Sequence, residues 1–132
     1  MVLVVAIYAA ILAAFYLLLS LHVAFLRREL NVAFGDGGKE KLAKAIRTHG
    51  NFSEYVPFML LLLVMLELNG TSDPVVHLLG GVFVLARCLH ASGMLFSKKR
   101  ISIRRVTGAA LTWLLIGVSG ALLLANVMHY VF

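Results

Sequence analysis

The chain is short of the residues that build covalent or ionic scaffolding. It has one cysteine, Cys88, which excludes an intrachain disulfide and cannot hold a metal alone. No metal site is expected, and Cys88 reads as a small apolar packing residue. Six acidic residues stand against twelve Lys and Arg, and residues 1–26 and 106–132 carry no Asp, Glu, Lys or Arg at all. The first of these segments lacks the basic start and short apolar core of a signal peptide, so it is expected to stay as a helix. Gly35-Asp36-Gly37-Gly38 is neither preceded by a strand nor followed by the Gly-Lys-Ser/Thr of a phosphate loop, and reads as a turn. Internal repeats and low-complexity segments are absent.

What is present is apolar. Hydrophobic residues make up 61% of the chain, against ~45–50% in a soluble domain, and mean hydropathy is +0.96. The length allows one domain, and the expectation is an integral membrane protein in a lipid bilayer. Four spans are legible, near residues 1–29, 39–69, 74–96 and 103–131, giving an all-α antiparallel bundle of four transmembrane helices. Eleven of the twelve bases fall in two clusters between spans: Arg27, Arg28, Lys39, Lys41, Lys44 and Arg47, then Lys98, Lys99, Arg100, Arg104 and Arg105. That is the positive-inside pattern, with both basic loops cytoplasmic and both termini on the other side. It is not the basic stripe of a nucleic-acid-binding fold. His77 and His129 fall at the far end, while Tyr8, Tyr16 and His22 read as interfacial or packing residues. Pro57 should kink the second helix. Gly80-Gly81 allow close helix approach, and Gly117, Ala121 and Ala125 form a small-residue ridge expected to pack.

The second span is anomalous. Its uncharged run, residues 55–66, is 12 residues long, whereas a crossing needs ~20. The helix must therefore draw Arg47, His49, Asn51 and Glu54 into or against the hydrocarbon. At about 100° per residue, Arg47, Asn51 and Glu54 lie within about 60° of one another, with Tyr55 on the flank and His49 pointing elsewhere. Polar groups at that depth are costly and tend to be functional. Arg87 is a lone cation inside the third span, with Glu54 as its expected partner, and it shares a face with His90 and Met94. Arg27 and Arg28 close the first helix, and Arg104 and Arg105 open the fourth. A cation-rich pocket with one acid results, suited to a small ligand bearing carboxylates and an ammonium group. Glutathione has that charge pattern, and a nearby Arg would stabilise its thiolate, although charge alone does not select it over another anionic metabolite.

Arg47-x-His49-x-Asn51-x-x-Glu54-Tyr55-x-Pro57 resembles the second-helix signature of the MAPEG family, the membrane-associated proteins of eicosanoid and glutathione metabolism. Leu21-His22-Val23 leading into Arg27-Arg28 is similar to the end of that family's first helix. Arg87-x-x-His90 and Ile103-Arg104-Arg105-Val106-Thr107 are similar to stretches of its third and fourth. The resemblance covers nearly the whole chain and is strongest to short bacterial members, which implies a bacterial inner membrane. It implies a homotrimer with glutathione bound as co-substrate between subunits, near the cytoplasmic side. Arg47, Asn51, Glu54 and Tyr55 would grip the peptide, and Arg27, Arg87 and His90 would complete the wall. Arg104 would hold the thiolate, with Arg105 as its rival. The activity implied is a glutathione-dependent transferase or peroxidase, whose thiolate attacks a hydrophobic small-molecule electrophile arriving from the lipid. Met94 stands where the family often has a tyrosine, and Gly108 falls in a region where some members have another aromatic; the missing hydroxyls leave both the ligand contacts and eicosanoid specificity open. Two other readings stand beside this one. A non-catalytic lipid- or glutathione-binding scaffold is the first. The second, a small four-helix multidrug exporter, would place a carboxylate in the first helix, where this chain has none.

Overall fold

The computed structural model describes residues 3–97 and 101–131, with side chains as far as residue 128; Lys98, Lys99, Arg100 and the His129 side chain lie outside the described residues. The chain folds into four helices, α1 (Val4–Leu30), α2 (Glu40–Leu68), α3 (Asp73–Leu95) and α4 (Ile103–Val131). Each is long and apolar enough to cross a membrane. Even the 23 residues of α3 rise about 35 Å at ~1.5 Å per residue, enough for a ~30 Å hydrocarbon core. The helix bounds fall within three residues of those read from the hydropathy pattern, and α2 runs unbroken through Pro57.

The helices do not pack equivalently. α2 and α3 form the middle and touch each other, α1 lies against both, and α4 lies against both from elsewhere; α1 and α4 do not meet among the described residues. Burial follows from this. α1 buries Val5, Leu12, Leu19 and Leu26, one residue in seven, and turns most of its remaining apolar surface outward. α2 buries a residue every three or four positions, from Leu42 and Ala45 through Phe52, Val56, Met59 and Leu63 to Leu66. That is the wider stripe of a helix packed on several sides. At Gly80 the Tyr8 ring of α1 lies directly on α3: a Cβ there would sit 2.5 Å from the ring.

Polar contacts close the end of the bundle that carries the 69–72 turn. The Glu67 carboxylate accepts hydrogen bonds from the backbone N–H groups of Leu3, Val4 and Val5 at 2.8, 2.8 and 2.9 Å. Donors at a helix start have no partner within the helix, so α2 supplies the cap that α1 lacks in its own sequence. The sequence reading assigned Glu67 no role. At the opposite end, Asn31 adopts a left-handed conformation (φ 52°) to end α1. Arg27 then donates to the carbonyls of Ala33 and Gly35 at 3.2 and 2.9 Å.

Two groups expected to pack do not pack within the single chain. Gly117, Ala121 and Ala125 are exposed, with nothing within 4 Å of a Cβ built on Gly117. α4 turns its opposite face, Thr112, Leu115 and Ser119, into the bundle. Cys88 is exposed as well, because α3 directs the neighbouring Ala86 and Arg87 inward.

Candidate functional site

The end of the bundle bearing the basic loops contains a cavity of about 450 Å³ between α2, α3 and α4. Its lining combines the polar residues Arg47, Asn51, Arg87, His90, Arg105 and Thr112 with Tyr55, Trp113 and the aliphatic Ile101, Val106, Ala109 and Ala110. No carboxylate lines it. Arg87 lies eight residues before the end of α3, about 12 Å of helical rise, so the cavity reaches well into the bundle.

Arg87 is the deepest charge. Its side chain is 2% exposed and its partners are all neutral. Nη1 donates to Asn51 Oδ1 at 3.0 Å, and Nη2 donates to the Gly108 carbonyl at 3.1 Å and to Thr112 Oγ1. Thr112 Oγ1 in turn donates to the Gly108 carbonyl at 2.8 Å. The guanidinium lies 5.5 Å from the Tyr55 ring centroid and 5.8 Å from that of Phe83, within the range of cation–π attraction. Nε has no hydrogen-bond partner among the described residues. A buried cation held by neutral groups keeps most of its charge available to an incoming anion.

The expected pairing of Glu54 with Arg87 is not what forms. Glu54 bonds to Arg47 at 3.2 Å, and both side chains are more than half exposed. Two turns of one helix put Arg47 and Glu54 on the same stripe, whereas Arg87 is drawn to α4 by the close seam at Gly108. A Cβ on Gly108 would lie 2.5 Å from the His90 nitrogen and 2.6 Å from the Ala86 carbonyl. Glycine at this position is therefore a packing requirement. Gly93 makes the matching approach to the Arg105 backbone at the first turn of α4.

Of the residues expected at a binding site, Arg47, Asn51, Tyr55, Arg87, His90 and Arg105 line one cavity. Arg27, Glu54 and Arg104 do not line it. Arg27 is engaged by its own loop, Glu54 lies outside with Arg47, and Arg104 is exposed. Met94, placed by spacing on the Arg87–His90 face, is also absent from the lining. His49 is turned toward α1, its ring 4.8 Å from that of Tyr16.

Thr112 and Trp113 are among the lining residues that were not foreseen. Thr112 was hidden in a span with no charge; its only signal is that it stands one turn after Gly108. Trp113 donates its indole N–H to the Tyr55 hydroxyl at 3.2 Å, tying α4 to α2. No spacing rule within one helix reveals such a contact.

Four helices long and apolar enough to span a membrane, with a basic cavity at one end of the bundle, define an integral membrane protein. The family follows from comparison with known sequences. The chain belongs to the MAPEG family, whose model matches residues 5–125. It is similar to the inner membrane protein YecN of Escherichia coli strains K12 and CFT073. In each case it is 38% identical over 108 residues, which cover 82% of this chain and 80% of the relative.

Proposed function

We propose that the chain is a glutathione-dependent transferase of the inner membrane, acting on hydrophobic electrophiles. The observation that carries this reading is the charge of the cavity: three guanidinium groups and an imidazole, with no lining carboxylate. Glutathione brings two carboxylates and, once ionised, a thiolate. Arg47 and Arg87 are suited to its carboxylates, and Asn51 and the Tyr55 hydroxyl to its amide groups. Arg105, rather than Arg104, is the group to hold the thiolate, because it is the one that lines the cavity. Attack by the thiolate forms a sulfur–carbon bond, and the leaving group departs with the electron pair of the bond that breaks. A hydroperoxide would be attacked at oxygen, forming a sulfur–oxygen bond as the O–O bond breaks and the alkoxide leaves to take a proton. A second glutathione then converts the sulfenic acid to the disulfide and water. Holding thiolate and electrophile in one recess removes much of the entropic cost of their encounter.

The reading also assigns cytoplasmic basic loops and a homotrimer. Broad outward apolar surface on α1 and α4, including Leu17, Leu18, Phe25, Leu114 and Leu124, supports burial against neighbours as well as lipid. Calorimetric titration with glutathione, alongside conjugation of a model electrophile, tests the proposal. Arg105→Ala is expected to slow conjugation about 100-fold, the scale of losing one preorganised charge-stabilising group, with glutathione affinity retained within a few-fold. Arg104→Ala should have the smaller effect. Binding without turnover in the wild type would favour the scaffold reading, and absence of binding would sink the transferase and leave only a lipid-binding scaffold.

A further inference from the structure

Where α1, the start of α2 and the end of α3 meet, a second recess of about 360 Å³ is lined by His22, Glu40, Lys41, Lys44, Leu95 and Phe96. It shares no lining residue with the basic cavity. Its apolar part is Leu95, which packs against Leu26, Leu42 and Ala45, and the exposed Phe96. The charges are ordered by depth. Glu40 is the first residue of α2 and Glu29 the last but one of α1, so both carboxylates stand at the level of the loop. Lys44 is four residues further into α2, about 6 Å deeper, and its side chain is 38% exposed against 81% for that of Glu40. His22 lies eight residues before the end of α1, about 12 Å down. Leu18, one turn beyond it on the same stripe, is exposed. Going inward, the recess therefore offers carboxylate, ammonium, imidazole and then aliphatic surface. Lys44 Nζ pairs with Glu40 Oε1 at 2.6 Å and Lys41 Nζ with Glu29 Oε1 at 3.6 Å. Pairs this open to water contribute little, so a ligand bearing both charges can take their place.

We propose that this recess is a headgroup site for a phospholipid carrying a primary ammonium beyond its phosphate, the ethanolamine class. From water inward, such a lipid presents ammonium, phosphate, glycerol ester and acyl chain. The recess matches that order. The ammonium meets Glu29 and Glu40, the phosphate meets Lys41 and Lys44, and the His22 imidazole donates an N–H to the ester carbonyl. The acyl chain leaves over Leu18. Basic recesses between spans suit lipid headgroups in general; the two carboxylates single out the class. A headgroup with negative charge alone would face both acids, and a trimethylammonium has no N–H to give them. Bound there, the lipid bridges the ends of three helices. None of this depends on glutathione.

The test is native mass spectrometry of the whole protein, released from micelles doped equally with ethanolamine, glycerol and choline phospholipids of identical chains. The wild type should retain the ethanolamine lipid above both others, and about tenfold above the choline lipid, the scale of one charge-assisted bond. Lys41→Gln combined with Lys44→Gln should lower retention of the ethanolamine and glycerol lipids alike, by about tenfold or more. Glu29→Gln combined with Glu40→Gln should instead invert the preference, so that the glycerol lipid is retained above the ethanolamine lipid. Misfolding would lower all three lipids together and cannot imitate that inversion. His22→Ala should weaken retention of the ethanolamine lipid by about threefold, the scale of one neutral hydrogen bond. Wild-type retention in the double lysine variant overturns the site. Equal retention of the three lipids by the wild type does so too. A wild type that prefers the glycerol lipid, with no change in the double glutamate variant, reduces the recess to a plain basic patch and also overturns it. The micelles contain no glutathione, so failure here leaves the transferase reading to its own titration, and failure of that titration leaves the lipid site standing.

Discussion

At the end of the bundle that carries the 69–72 turn, polar side chains are spent on one another and on the backbone. Glu67 takes three N–H groups of α1, the Tyr8 hydroxyl lies 2.8 Å from His77 Nδ1, and Asn126 Nδ2 donates to Thr71 Oγ1 at 3.0 Å. At the other end, Arg47, Arg87 and Arg105 surround one cavity with no lining carboxylate, and Arg87 Nε has no partner among the described residues. Both ends sit in an equally apolar chain. The first satisfies its charge internally and acts as a clasp; the second leaves a surplus of positive charge facing a space. In a medium where unpaired polar groups are costly, that surplus is what the proposed ligand would neutralise.

Mutations should separate the two ends, and the largest effect should come from Arg87. Arg87→Leu is expected to weaken glutathione binding roughly 100-fold, the scale of one buried charge-assisted anchor. The ligand-free protein should unfold at nearly the wild-type temperature, because an isolated buried cation contributes little net stability. Calorimetry and thermal unfolding in detergent check both halves; unchanged affinity together with a collapsed melting temperature would make Arg87 a structural residue and erase the contrast. Next in size, Glu67→Ala should cost about 2 kcal/mol of stability by uncapping α1. Melting curves with and without glutathione should show the same loss, since this end is closed to the ligand. The smallest effect belongs to Glu54→Gln. Its pair with Arg47 is largely exposed and worth well under 1 kcal/mol. Stability should hold, and glutathione affinity should fall by no more than about tenfold as Arg47 loses its tether. A loss matching that of Arg87→Leu would mean that Glu54 holds the ligand directly.

The span positions were readable because lipid imposes a minimum apolar length, and two charge-free segments leave no other reading. The grouping of Arg47, Asn51 and Tyr55 was readable because angular position along one helix is arithmetic. The partner of Arg87 was not. Choosing between Glu54 and the carbonyl of Gly108 depends on how closely α3 approaches α4, and that distance is set by missing side chains at Gly93 and Gly108 rather than by any charge. Glu67 was overlooked for a similar reason. Its role requires the start of α1 to lie against the end of α2, 62 to 64 residues away in sequence. Trp113 carried no motif, and its importance appears only once it is seen to bridge two helices at the edge of a cavity.

Composition and periodicity by themselves determined that this chain spans a membrane four times, that its bases collect at one end, and which residues of α2 share a stripe. These follow from local rules: the transfer of side chains into hydrocarbon and the 3.6-residue turn. Tertiary structure alone decided which cations share a space, that Glu54 stays outside it, that Arg105 and not Arg104 reaches it, and that a tryptophan stands at its flank. Those outcomes depend on how closely and at what rotation separate helices meet, and that geometry arises only when their surfaces pack.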